Sequence, residues 1–132
     1  MKIDNKNVAA AMMFFLLTTA GVVQAQVLLK DVSEIAGEWV LESVAPALGK
    51  PKVPENRIWE FRPDGTLKTS GFNRHFNRED EQQFKFKVAD GIIKADNPGR
   101  PGRTTDYKVY EKTNDSMILQ GGLEGFYFFK KK

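Results

Sequence analysis

From Gly37 onward the chain falls into eight short runs in which apolar and polar residues alternate, the two-residue period of strands that bury one face. In the run 37–44, Trp39, Leu41 and Ser43 share one face while Glu38, Val40 and Glu42 take the other. The runs 57–62 and 66–71 flank Pro63-Asp64-Gly65, a three-residue turn in which glycine supplies the positive φ. Pairing Arg62 with Thr66 sets Phe61 opposite Leu67 and Trp59 opposite Thr69, all four pointing inward. Alternation is cleanest over 82–88, where Phe84, Phe86 and Val88 go in and Lys85 and Lys87 meet water. Asp90-Gly91 is the favoured two-residue hairpin turn and sets Val88 opposite Ile93 and Phe86 opposite Ala95. A hairpin of 104–111 with 116–121 leaves the facing of Tyr107, Tyr110, Met117 and Leu119 open, because a one-residue slip reverses them all. The last run, Phe126-Tyr127-Phe128-Phe129, is apolar on both faces, and Tyr127 and Phe129 are expected to stand partly outside.

The connections carry the second signal. Long, proline-, glycine- or charge-rich links at 45–56, 72–81 and 97–103 alternate with tight turns. In an up-and-down β-barrel, consecutive connections lie at opposite ends, so the long ones gather on one rim. The expected fold is therefore all-β, an eight-stranded antiparallel up-and-down barrel with one open mouth, and a flattened sandwich of the same strands is the alternative. Residues 31–36 read as a helical turn, capped by Asp31 and stopped by Gly37, that plugs the closed end.

Residues 1–25 stand apart from this pattern. Lys2 and Lys6 precede an apolar stretch over 8–23, and Val23-Gln24-Ala25 offers small residues where a signal peptidase cuts. The stretch is shorter than the roughly 18 to 20 residues of a comfortable membrane span. A cleaved signal peptide (1–25), one mature domain (26–132) and an extracytoplasmic location, periplasmic or secreted, are expected, with no membrane span after cleavage. Removing Lys2, Lys6 and Asp4 lowers the formal net charge from +3 to +2, too balanced to argue for nucleic acid. The chain has no cysteine, which excludes disulfides, thiol nucleophiles, thiolate metal sites and a lipid anchor on a cysteine at the cleavage site.

Gly37-Glu38-Trp39 opening the first strand after a helical turn, the strand ending in Phe61 followed by Asp64-Gly65-Thr66, and Thr105-Asp106-Tyr107 together resemble a small bacterial lipocalin-like domain. The resemblance spans roughly 31–132 and implies the barrel fold, with ligand binding as a family tendency. Where such barrels lay an arginine of the closing strand across the first-strand tryptophan, this chain offers Lys130, Lys131 and Lys132.

Candidate chemistry is sparse. His75 is the lone histidine, set among arginines, and Glu79, Asp80 and Glu81 are its nearest carboxylates in sequence, so no metal site is assigned. No base accompanies Ser70 or Ser116, and Glu38, Glu42 and Glu60 fall on the face opposite Trp39 and Trp59. Catalytic residues and cofactors are therefore not expected. An exported, non-enzymatic binding protein for a small apolar or amphipathic molecule, lipids included, fits the pattern. Trp59, Phe61, Phe84 and Phe86 would form the walls, and Arg57, Arg100 or Arg103 would meet an anionic head group. The same bulky residues could instead fill the interior. The alternative is thus a solid barrel that binds another exported protein through Tyr127 and Phe129.

Overall fold

The computed structural model describes residues 27–132. Eight strands, β1 (Gly37–Ala45), β2 (Val53–Phe61), β3 (Thr66–Asn73), β4 (Arg78–Ala89), β5 (Ile92–Asp96), β6 (Thr104–Lys112), β7 (Ser116–Gly121) and β8 (Gly125–Lys131), pair in chain order. β8 returns to β1, which closes the barrel and excludes the open sandwich. Closure pairs every strand with two neighbours, although β4 meets β5 only over Phe86–Ala89 and keeps an edge free from Arg78 to Lys85. No helix among the described residues is long and apolar enough to cross a membrane.

Alternation fixed most of the register. Trp59 lies opposite Thr69 and Phe61 opposite Leu67, while Phe86 faces Ala95 and Val88 faces Ile93, as the turn chemistry requires. The Asp90-Gly91 turn has φ of 56° and 80°, the doubly left-handed geometry that matches strand twist. A 3₁₀ turn at Val32–Glu34, N-capped by the Asp31 carboxylate accepting from Ser33 N–H, crosses the base of the barrel. Backbone bonds from Val27 N to Val109 O and from Leu29 N to Gly91 O hold the segment leading into it. The Trp39 indole N–H donates to Ile35 O at 2.9 Å, so plug and barrel share a hydrogen bond. Lys131 takes the position across Trp39: its Nζ lies 4.6 Å from the ring centroid and donates to Ala36 O at 2.8 Å.

Four expectations need correction. Ser43 points outward, because a bulge between Leu41 and Ser43 shifts the phase of β1 and turns Val44 inward instead. The 72–81 link is only the turn 74–77, since paired backbone carries β3 and β4 outward through residues too polar to have read as strand. β2 likewise begins at Val53 and accommodates Pro54 where the ladder is already irregular. Tyr127 and Phe129 are buried, 5% and 3% exposed; they face the core, and it is Phe126 and Phe128 that lie outside. Tyr110 supports Phe126 edge-on, and Lys52 sits 4.1 Å from the Phe128 ring centroid. The β6 facing that was open resolves with Tyr107, Met117 and Leu119 inward and Tyr110 outward.

The base half is solid. Ile35, Trp39, Phe61, Leu67, Ile93, Val109, Met117 and Leu119 are almost wholly buried, and Phe61 meets Phe86 edge-on at 5.3 Å. Burying a side chain of this size stabilises by about 2–3 kcal/mol. The mouth half is different, and all four connections at that end, 46–52, 74–77, 97–103 and 122–124, look onto it.

Candidate binding site

Above Trp59 the barrel interior opens into a cavity of about 250 Å³. Its apolar lining is Leu41, Trp59, Phe84 and Leu123; its polar lining includes Arg57, Thr69, Gln82, Tyr107 and Tyr127. Trp59 is the floor. Its ring contacts Tyr107 at 5.7 Å, Tyr127 at 5.6 Å and Phe129 at 5.1 Å, the first and last edge-on, a mutually braced set that fixes the indole.

Strand parity puts charge inside. Arg57 shares its face with Trp59 and Phe61, and Asp80 shares its face with Phe84 and Phe86, so both project inward once their strands extend to the mouth. Arg57 Nη1 lies 2.9 Å from Asp80 Oδ1 and donates to Gly71 O at 2.8 Å, while Nη2 reaches Thr69 Oγ1 at 3.3 Å. Asp80 Oδ1 accepts no well-aligned hydrogen bond, so that contact is coulombic; Asn73 Nδ2 donates to Oδ2 at 2.9 Å. Burial pushes the Asp80 carboxyl up, but the Asn73 amide and the Arg57 guanidinium outweigh it and hold the acid below its ordinary range. Arg57 is thus an interior cation with its partner in place.

Burial pushes the Tyr107 phenol far up, and the neighbouring Tyr127 phenol adds to the effect. Burial likewise raises Tyr127, whose hydroxyl accepts from Glu124 N–H at 3.1 Å. Both phenols stay protonated at any physiological pH and offer the cavity neutral hydrogen-bonding groups.

A polar clasp spans the entrance. Arg74 on the β3–β4 turn places Nε 2.6 Å from Glu55 Oε2 and Nη2 3.1 Å from Glu124 Oε1, and His75 Nε2 sits 2.8 Å from Glu124 Oε2. Burial opposes the Arg74 charge, but Glu55 and Glu124 more than offset it and raise its pKa. Glu55, His75 and Glu124 bring donor atoms within 4.8 Å of one another, a spacing that could hold a metal ion, yet Arg74 is already seated against both carboxylates. The partners of His75 and Arg74 come from β2 and the β7–β8 turn, not from the neighbouring Glu79, Asp80 and Glu81.

The wall residues expected from sequence divide. Trp59 and Phe84 line the cavity, whereas Phe61 and Phe86 lie below it in the solid base. Arg57 is inside rather than on the rim. Arg100 and Arg103 are exposed on 97–103, and Arg103 borders a separate hollow of about 530 Å³ with Phe84, Asp96 and Asn97. That hollow exists because β4 outruns β5: from Arg78 to Lys85 it is paired only on its β3 side. Sequence reasoning missed Gln82, Tyr107 and Tyr127 as lining residues and Asp80 as the partner of Arg57; continuing the Phe84–Phe86 parity backward would have found Gln82 and Asp80.

No family model and no curated protein sequence matches the chain. Among solved structures it is similar to a lipocalin-like protein from Bacteroides uniformis, with a TM-score of 0.56 and 15% identity, covering 75% of this chain and 99% of that one. An uncharacterized protein from Bacteroides eggerthii superposes with a TM-score of 0.50 and 20% identity over 74% of this chain and 98% of that one. Identities this low speak to architecture alone. In architecture, then, this chain is a small eight-stranded barrel of the lipocalin-like fold.

Proposed function

We propose that the protein is an exported, non-enzymatic binder of a small amphipathic molecule held at the mouth of the barrel. The observation that carries the reading is the cavity above Trp59, closed below by packed aromatics and lined by both apolar rings and neutral donors. At about 250 Å³ it lies at the small end of ligand pockets, which favours a compact ring or short chain over a long acyl tail. Because the Arg57 charge is already met by Asp80, the polar end of the ligand is uncharged and bonds to Tyr107, Tyr127 or Gln82. Export rests on the leader pattern of 1–25, which lies outside the described residues.

The two tryptophans make the test direct. Trp59 lines the cavity and Trp39 is sealed in the base, so a Trp39→Phe variant reports on the site alone. Titration with compact amphipathic compounds and hydrophobic dyes is expected to shift Trp59 emission saturably, and Trp59→Leu is expected to weaken binding by roughly tenfold or more. A flat response across the panel, together with no bound species in native mass spectrometry of protein from its own host, would refute the reading. Retention of the full precursor in the cytoplasm of that host would refute the export component.

A further inference from the structure

Seven large apolar side chains are exposed among the described residues, and five of them, Leu48, Val53, Phe72, Phe76 and Leu123, stand on the loops and strand ends of the open mouth. They follow one arc, because the connections bearing them join β7, β8, β1, β2, β3 and β4, neighbours around the barrel. Single exposed apolar residues need no explanation; five collected at one entrance do.

The charges at that end are sorted as well. Glu55 and Glu124 are held by Arg74, Asp80 by Arg57 and Glu81 by Lys68. Lys50, Lys52, Arg78, Arg100 and Arg103 are exposed and enter no ion pair among the described residues, against Glu42, Glu79 and Asp96 left similarly free. The inward acids are paired, and the exposed rim keeps more free cations than free acids.

Apolar side chains on separate loop tips, interspersed with unpaired cations, match one kind of surface. Apolar tips enter the boundary between headgroups and acyl chains while lysine and arginine meet headgroup phosphates. A rigid protein partner is better served by a contiguous apolar patch depleted of lysine. We propose that the mouth of the barrel docks on the surface of an anionic phospholipid bilayer, with the cavity entrance turned toward the headgroups. The inference does not depend on what the cavity binds.

The test is flotation of the mature barrel, residues 26–132, which contains all eight strands and the whole core, with vesicles of phosphatidylcholine alone or mixed with phosphatidylglycerol. Binding to the mixed vesicles at low salt, weak binding to phosphatidylcholine alone and release by high salt are expected. Each cation near such a surface contributes about fivefold to partitioning, so Lys50→Glu with Arg100→Glu should lower it by roughly tenfold or more. Leu48→Ser with Phe76→Ser should weaken it by a similar factor, while Lys130→Glu at the closed end leaves it unchanged. Unfolding midpoints confirm that each variant is folded. Absence of flotation with anionic vesicles, equal loss with Lys130→Glu, or indifference to both rim pairs would overturn the proposal, as would a purified protein partner that needs Phe76 when vesicles are not bound. The Trp59 titration is read separately, so either result can fail without the other.

Discussion

Arg57 and Asp80 show what one interior ion pair does to a barrel. Their side chains are 9% and 11% exposed, and removing one partner strands the other's charge in a site with little water. Asp80→Asn is expected to destabilise the protein by about 3 kcal/mol at neutral pH, measured by urea unfolding, and Arg57→Met with Asp80→Leu should cost less than the single change. The pH dependence follows from the folded carboxyl lying below its ordinary value of 3.8. Its contribution is complete above that value and is lost as pH falls through the lower folded pKa, so the gap between wild type and Asp80→Asn should close only in strong acid. A gap that instead closes between neutral pH and pH 5 would assign the effect to another group. Neither residue was legible as half of a pair. Arg57 read as a rim cation because its strand was taken to start there, and Asp80 read as loop because Arg78-Glu79-Asp80-Glu81 carries no apolar alternation. Backbone pairing extends strands without asking the side chains.

At the scale of elements, turn chemistry was the legible part. Asp64-Gly65 and Asp90-Gly91 each specify a turn whose length determines which residues face each other, so two hairpins could be registered residue by residue. The bulge in β1 left no such mark: Leu41-Glu42-Ser43-Val44 reads equally well as unbroken alternation, and only pairing with both neighbours reveals the shift. The two-faced apolar β8 was ambiguous for the same reason, since alternation cannot orient a strand that has no polar face. Gly121, at the end of β7, is another silent constraint. A Cβ there would lie 2.2 Å from Asp106 O, and its φ of 141° is one that side-chain-bearing residues rarely adopt. Gly121→Ala should therefore destabilise by about 2–4 kcal/mol by forcing β6 and β7 apart beside Tyr107. Wild-type stability in that variant would show that the strand edge yields at little cost.

For the whole molecule, alternation and the spacing of turns were enough for an eight-stranded barrel and for the end at which its mouth lies, because both follow from counting connections. Whether the interior was hollow could not be counted. It depends on how far Trp59 rises above Phe61 and on two inward charges, which are three-dimensional facts. The seam between β1 and β8 carries a further consequence for how such a molecule comes into being. Trp39 pairs with Lys131 and Ala45 with Phe126, partners separated by almost the entire described chain. A growing polypeptide therefore cannot seal itself until its final strand has emerged, and until then β1 and β7 both present raw edges. A chain ending at Gly121 is expected to elute from size exclusion as heterogeneous assemblies, and a synthetic peptide of residues 122–132 should reduce them. A well-behaved monomer without β8 would contradict this. A barrel whose seam joins its first and eighth strands is thus completed in one late event, and everything that depends on a closed wall, the mouth cavity included, arrives with it.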